Sequence, residues 1–530
     1  MTKVNMQPNR APSIFNDVIG PVMRGPSSSH SAAAVRIGRL IYDLCGGTPE
    51  VVELQYDSLG SLATTHASQG TDMGLYGGLM DMSPDDERLP NAPALLENAG
   101  TKIAITKPEL GDPHPNTYRM RVERDGVAHE VVALSTGGGM IEVIEIDGWP
   151  VSLFGDYAVT LLALDAGADA ASIAAQIDAD DAWPDFDLIE SSEPGNGDSL
   201  MILSGQKLPD VSVAPPPGVT RIHRLRPVLP ILSRQERTVP YNHAGELDNP
   251  DQLHDRPLSD WALRYETARG GVDEKTVLDL AQQMLDIMRT GVNTGLAGTE
   301  YDDRILGWQS GGFVERQRAN DLLDGGLLND MIAFVTALME AKSAMEVIVA
   351  APTAGACATF PGALLATVDS VNASPELAQR ALLTGGLVGI FVTNRSSFAA
   401  EVGGCQAETG AGAAMAAAAL VELAGGSAAQ SLSAASQSLQ NVLGLICDPV
   451  GNRVEAPCLG RNVTGAANAL SCANMALAGY DHLIPFDEVL DAHRSVSEMM
   501  ARELRCTGLG GLAITPTAQK VELSLKGATR

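Results

Sequence analysis

The sequence predicts a multidomain protein of three folded blocks: an α+β domain at the N-terminus, a smaller α+β domain after it, and an all-α domain in the C-terminal half. Three observations carry this reading. The chain has 530 residues, room for roughly two to four domains at about 150 residues each. Short β-branched runs separated by glycine and proline populate residues 1–235. Beyond residue 260, apolar side chains recur at helical spacing, and many are alanine.

The first block, residues 1–150, opens with a loop at 25–30 and a helical stretch at 32–44. Strand-like runs follow at 51–55, 102–105, 118–122 and 130–134, with a glycine turn at 137–139, a mixture that reads as α+β. The second block, residues 151–235, offers strands at 157–164, 186–191, 199–204 and 219–225, and one helix at 170–177. Pro209 and the prolines at 215–217 stand where a second helix would lie. This order is similar to the ACT-type regulatory module, with a structural α+β spacer as the alternative. A polar, proline-bearing linker, residues 236–260, leads into the helical block at 261–530. There Val277, Leu280, Met284, Leu285, Ile287 and Met288 share helical spacing, with Asp273 placed to cap the helix. Further helices are expected at 327–342, 377–392, 412–423 and 428–443. The loops between them, 350–361, 394–410 and 447–462, are rich in glycine and proline. A site assembled at helix ends is the expectation.

Charge narrows the function. With 36 Lys and Arg against 65 Asp and Glu, the formal net charge is −29. That disfavours nucleic acid or an anionic membrane as partner, since both require a basic face. Residues 1–24 lack the basic-then-apolar order of a secretory signal. The apolar runs at 382–392 and 411–423 fall short of the roughly 20 residues a spanning helix needs. A cytoplasmic protein is expected.

The seven cysteines, an odd and scattered number, make no disulfide framework. Cys45 and Cys472 sit in or beside helical runs and read as small apolar residues. Cys357, flanked by alanines, can pack in the same way. Cys405, Cys447 and Cys458 lie in shaped loops instead. Pro449, Gly451 and Pro457 argue against a continuous helix between the last two. Their spacing is too wide for a zinc knuckle or a CxxC redox pair. Three thiolates suit a soft metal, and they leave one position open, as a catalytic metal site does. Spacing alone leaves unrelated buried cysteines as an equal alternative.

The words around these cysteines are more specific. GPSSSHS at 25–31, IEVIEIDGWPVSLFGDY at 141–157, APTAGACATFPGAL at 351–364, GGCQAETGAGAAMAAAAL at 403–420, CDPVGNRVEAPCLGRN at 447–462 and GLGGLA at 508–513 occur in this order. They resemble the successive signatures of the iron–sulfur-dependent L-serine dehydratases (L-serine ammonia-lyases), in a single-chain form with β-type and α-type domains. The resemblance covers most of the chain outside the middle block. It implies a 4Fe–4S cluster on Cys405, Cys447 and Cys458, with one iron left for substrate. It implies elimination of water from L-serine to give pyruvate and ammonia, in amino-acid degradation that feeds gluconeogenesis. The implied partner is a small amino acid, with neither nucleic acid nor membrane, and the implied assembly is a homodimer.

The resemblance also distributes roles. His30 is the expected base for the Cα proton, because histidine titrates near neutrality. Ser27, Ser28 and Ser29 precede a helix and suit a carboxylate; the alternative is an ordinary capping run with an exposed histidine. Thr353 and Gly355 are expected to line the substrate pocket, with Arg461 and Asn462. Arginine offers a carboxylate a two-pronged fork, and a salt bridge beside the metal is its alternative role. Glu401 and Glu408 either orient the substrate ammonium or cap the following helix.

Two departures stand out. The family usually carries a histidine just before the GTD of residues 70–72, where this chain has Gln69, with His66 three residues earlier. Glutamine cannot shuttle a proton, so that role is lost or moved to His66. The chain also ends without a terminal cysteine, and Cys506 has no assigned role. The alternatives are therefore the same chemistry on L-threonine, hydroxyaspartate or L-cysteine, or a non-catalytic amino-acid-binding regulator. A pyridoxal phosphate enzyme is not expected, because no lysine has a Schiff-base setting; Lys342, for instance, falls inside a helix.

Overall fold

The computed structural model describes residues 11–192, 199–234, 238–247, 250–302 and 304–528. Alternating residues build a six-stranded sheet in the N-terminal region from β1 (Val51–Gln55), β2 (Lys102–Thr106), β3 (Thr117–Arg124), β4 (Val127–Gly137), β5 (Met140–Ile146) and β6 (Trp149–Leu153). The order is β2-β1-β3-β4-β5-β6; β1 and β2 are parallel and the other pairs antiparallel. In β1, Val52 and Leu54 face inward while Glu53 and Gln55 face solvent, the period of a half-buried strand. Strands β5 and β6 go beyond the sequence expectation. Four consecutive residues of β5 are buried, so it shows no alternation to read.

One helix covers this sheet's inner side, and a second packs upon it. Helix α1 (Ala33–Cys45) ends in a left-handed Gly46, the common helix stop. Helix α2 (Thr71–Gly78) crosses it closely enough that a Cβ on Gly78 would lie 2.2 Å from the Val35 carbonyl oxygen. Glycine is required there. Residues 25–30, expected as a loop, are partly wound: a π-helical turn at Ser28–Ala32 runs directly into α1. This places the serine-rich segment at the helix entrance, with all of Ser28–Ala32 buried.

The middle region forms its own sheet from β7 (Ala158–Leu164), β8 (Phe186–Ser192), β9 (Ser199–Gly205) and β10 (Val219–Leu225), with α3 (Ala170–Asp178) as its helix. The order β10-β7-β9-β8 is antiparallel throughout. β7 is buried on both faces because Leu162 and Leu164 pack toward Ile173 and Ile177 of α3, while Val159 and Leu161 join the core of the N-terminal region. The prolines after β9 keep the second crossing free of helix.

The C-terminal region is helical: α4 (Ser259–Gly270), α5 (Glu274–Ala297), α6 (Leu327–Ser343), α7 (Thr359–Val371), α8 (Pro375–Arg395), α9 (Ala411–Leu423), α10 (Ala428–Gln440), α11 (Cys458–Leu477) and α12 (Phe486–Met499) are its longer elements. Asp273 caps α5, accepting from Thr276 N at 2.8 Å. Every residue of α9 is buried, so this alanine-rich helix is the axis of the bundle. Small side chains make the approach possible: a Cβ on Gly385 of α8 would lie 2.6 Å from the Phe360 ring of α7. One stretch, 354–371, is long and apolar enough to cross a membrane, and most of it is buried in this core.

The segment that precedes the N-terminal sheet packs into the helical region. Ile14, Phe15 and Val18 pack into the helical core, and Val22 and Met23 pair antiparallel with Val349 and Ile348. Buried Glu266 of α4 accepts from Ser13 Oγ at 2.5 Å and Ile14 N at 2.8 Å. This strap sets the serine-rich turn against the helical region.

Candidate active site

Local sequence brings the loop cysteines to helix ends. A short helix, Ala400–Gly403, stops at Gly404, whose φ of +71° and neighbours Met500 Sδ and Leu445 O leave no room for a side chain. Cys405 follows, and a π-helical turn, Gln406–Gly410, leads into α9. Gln406 ties this turn down: its N donates to Leu445 O at 2.9 Å, its Nε2 to Ser497 Oγ at 2.8 Å, and its Oε1 accepts from Gly444 N at 2.8 Å. Cys447 is held in extended backbone by Cys447 N donating to Leu504 O at 2.8 Å and Cys506 N donating to Cys447 O at 3.0 Å. Cys458 is the first residue of α11, after a 3₁₀ turn at Val450–Asn452, so the intervening loop is not a helix, as its prolines and glycine imply.

The sulfurs of Cys405 and Cys447 and a carboxylate oxygen of Glu408 lie within 4.8 Å of one another. Cys458 is outside that tight group, yet close enough that Cys405 acts on it electrostatically. The Cys447 thiol, by hydrogen bonding, holds Cys405 below the usual thiol range, and the same contact pushes Cys447 up. Burial, then Cys405, pushes Cys458 up. Glu408 is pushed up to about 8, first by burial and then by the charges at Cys405 and Glu401. A thiolate is the metal-binding form of cysteine, and sulfur donors select soft metals. These residues form a cysteine-rich potential metal site, and their chemistry fits a thiophilic centre. Cys357 and Cys472 lie in the helical core, where burial pushes each thiol up to about 11.

His30 is fully buried. Its Nε2 lies 2.8 Å from Thr65 Oγ1, its Nδ1 3.1 Å from Ser27 Oγ and 3.4 Å from Glu401 Oε1. Thr65 donates its single proton to Ser61 O at 2.7 Å, so it can only accept from the imidazole. The Nε2 atom therefore carries the proton, and Nδ1 is the basic nitrogen. Burial first, then His66, drives His30 down to about 3, so the ring is neutral at physiological pH. Glu401 is pushed up by burial, with the neighbouring Asn116 side chain acting in the opposite direction. Glu401 precedes Cys405 by four residues across the break at Gly404, so one short segment carries both the carboxylate beside the histidine and a site cysteine.

The remaining sequence-expected residues divide. Ser28 Oγ accepts from Ala354 N at 3.2 Å, joining the serine turn to the 353–356 turn. Ser29 offers its carbonyl to Ser135 Oγ at 2.7 Å. Thr353 Oγ1 donates to Glu408 Oε1 at 2.7 Å, and a Cβ on Gly355 would meet the same carboxylate at 2.7 Å. Arg461 reaches Cys405 Sγ at 3.4 Å and Ile446 O at 2.8 Å through Nη1, and Asp448 Oδ1 at 2.5 Å through Nη2. Asp448 also accepts from Leu512 N at 2.7 Å, a contact that needs Gly511, where a Cβ would lie 2.4 Å from Asp448 Oδ2. Asn462 is a clamp: Oδ1 accepts from Thr359 N and Oγ1, and Nδ2 donates to Gly355 O and Cys458 O. Both of its amide donors are committed to the chain.

Several residues at the site carried little sequence signal. Cys506, a non-glycine residue at φ +57°, lies beside Cys447. Gln69 Nε2 donates to Cys506 Sγ at 3.6 Å, so the glutamine that replaces the family histidine faces a sulfur. His66 sits over Asp72 at 2.9 Å and stacks near Tyr56. Thr65 is a residue type with no chemical flag, visible only once His30 is placed.

A family model described as "Serine dehydratase alpha chain" matches residues 219–513, from the first residue of β10 onward. The probable L-serine dehydratase alpha chain of Bacillus subtilis (strain 168) is 42% identical over 259 residues, which is 48% of this chain and 86% of that one. The L-serine dehydratase alpha chain of Peptoniphilus asaccharolyticus is 38% identical over 268 residues, 50% of this chain and 91% of that one. The probable L-serine dehydratase beta chain of the same Bacillus subtilis strain is 39% identical over 150 residues, 28% of this chain and 67% of that one. A single polypeptide here is thus similar to two separate chains there.

Proposed function

The chain belongs to the serine dehydratase family, and from that premise we propose that it eliminates water from L-serine to give pyruvate and ammonia. The observation that carries the proposal is the 401–405 segment, which places the carboxylate beside a buried, neutral histidine four residues before Cys405 of the Cys405–Cys447–Glu408 group. Cys405, Cys447 and Cys458 would hold a 4Fe–4S cluster, and a cluster with three protein sulfurs supplies an open Lewis acid for the departing C3 hydroxyl.

The chain's own residues do the rest. His30 Nδ1 takes the Cα proton; burial lowers the ring to about 3, away from the near-neutral value expected of a histidine, so protonation there depends on the neighbouring carboxylate. Its Nε2–H stays on Thr65, and the new positive charge forms 3.4 Å from Glu401 Oε1, where a carboxylate offsets it. Ser27 and the first N–H groups of the turn, at Ser28–His30, hold the substrate carboxylate. Thr353 and Glu408 border the ammonium, and Gly355 keeps the space in front of Glu408 clear. Arg461, already bonded to Cys405 and Asp448, holds the thiolate rather than the substrate. Aminoacrylate released from the site tautomerises and hydrolyses in water to pyruvate and ammonia.

The test is an anaerobic substrate panel. Brown, iron-loaded protein is expected to release pyruvate and ammonia from L-serine faster than 2-oxo acid from L-threonine, L-cysteine or hydroxyaspartate. Iron-free protein with undiminished activity overturns the metal assignment, and preference for another substrate overturns the choice of serine. The strand order β10-β7-β9-β8 also supports an ACT-like role for the middle sheet. On that reading an amino acid binds it and alters turnover, which equilibrium binding to a Cys405→Ser variant would detect without catalysis.

A further inference from the structure

Lys342, in the last turn of α6, is among the largest side chains in the molecule with no exposed surface. Its Nζ donates to the carbonyl oxygen of Val454, in the loop between Cys447 and Cys458. That is its one hydrogen bond among the described residues, and no described carboxylate pairs with it. The other cation beside the cysteines, Arg461, is matched by Asp448 at 2.5 Å. Lys342 has no such match.

A buried charge is costly unless an opposite charge offsets it. The groups that experience the Lys342 charge are Cys458, Cys357 and Glu408. Two of these belong to the candidate metal site: Cys458 as an expected ligand and Glu408 beside Cys405 and Cys447. Cys357 lies in the helical core. Of the three expected ligands, Cys458 is the one on which the Lys342 charge acts, with Glu408 beside it. A thiolate at Cys458 in a dry interior has the complementary difficulty, a negative charge that a nearby cation offsets.

We propose that Lys342 is the fixed counter-charge at the Cys458 side of the cysteine-held centre, a positioning residue that makes that buried thiolate tolerable and favours the more reduced, more negative state of the metal it helps to hold. Through Val454 it also fixes the loop that carries two of those cysteines. The proposal rests on the reading that Cys405, Cys447 and Cys458 hold an iron–sulfur cluster, and the experiment separates the two.

Lys342→Gln keeps a donor for Val454 without the charge, Lys342→Met removes both, and Lys342→Arg keeps the charge. Each full-length protein is reconstituted anaerobically with iron and sulfide. Three quantities are read: iron and acid-labile sulfide per chain, the rate of iron loss to a chelator, and the midpoint potential of the cluster by dye-mediated titration. Lys342→Gln is expected to lose iron roughly 10-fold faster or more, the scale of an outer-shell change at a metal site. Its midpoint potential is expected to move to more negative values, with Lys342→Arg close to the parent. Should Lys342→Gln match the parent in both retention and potential, the charge is not used and the proposal falls. If Lys342→Met does not fold, the glutamine variant decides. A parent protein that takes up no iron overturns the cluster reading itself, a result distinct from failure at Lys342.

Discussion

Two buried glutamates in the same helical region show how differently one side chain can be used. Glu422, deep between α4, α8 and α9, accepts from Ser259 Oγ at 2.6 Å, Thr384 Oγ1 at 3.0 Å and Ser259 N at 3.4 Å. Glu401, at the layer where the helices meet the N-terminal sheet, has His30 at 3.4 Å on one oxygen and the Asn116 side chain only as a looser neighbour. Burial pushes both carboxyls up. The first has its bonding capacity occupied, which is what a scaffold needs; the second has capacity left over. Burial alone does not distinguish structure from chemistry, whereas vacancy does.

The sharpest break of this contrast comes at the thiolates. Cys405→Ser or Cys447→Ser is expected to remove bound iron and abolish pyruvate release, as measured by metal analysis and a coupled assay. Retained iron with full activity would place the chemistry elsewhere. His30→Ala comes next, with turnover reduced by about 10²–10⁴-fold while the visible spectrum and iron content stay at parent values. The paired comparison is direct: Glu401→Gln is expected to lower turnover roughly 10-fold or more with little change in melting temperature. Glu422→Ala is expected to do the reverse, costing about 1–3 kcal/mol of stability for the stranded Ser259 and Thr384 hydroxyls. Equal effects of the two on both readouts would erase the distinction.

The smallest effect is in the pH dependence of stability. Glu266, tied to Ser13 and Ile14, is raised above the ordinary 4.5 chiefly by burial. A carboxyl raised in the folded state contributes stability that is fully present below the unfolded value and is lost as pH rises through the folded one. Melting temperature should therefore decline over that window, and Glu266→Gln should flatten part of the decline. An unchanged slope would assign the pH dependence to other groups.

Much of the fold was legible because local patterns are local physics. The strand at Val219–Leu225 and the Asp273 cap fall where alternation and capping chemistry place them. The spacing of Gly/Pro-bearing loops also singled out Cys405 and Cys447, whose sulfurs the structure brings together. What escaped depends on distant partners. Ile14–Val18 shows no outward sign that its pocket lies in the helical core, hundreds of residues away. Strand β5 hides its period because it is covered on both sides. Asn462 looks like a binder until its partners are counted, and Lys342 like an ordinary helix residue until Val454 is found beside it.

The strap at residues 11–23 has a kinetic implication. It hydrogen-bonds and pairs with the 348–350 segment, and Gly20 N donates to Ala350 O at 2.8 Å. The serine turn and the thiols are thereby joined covalently as well as by contact. Where relatives divide these parts between two polypeptides, their union is a second-order encounter that dilution slows. Here it is first-order, so the junction closes at the same rate in a scant solution as in a crowded one.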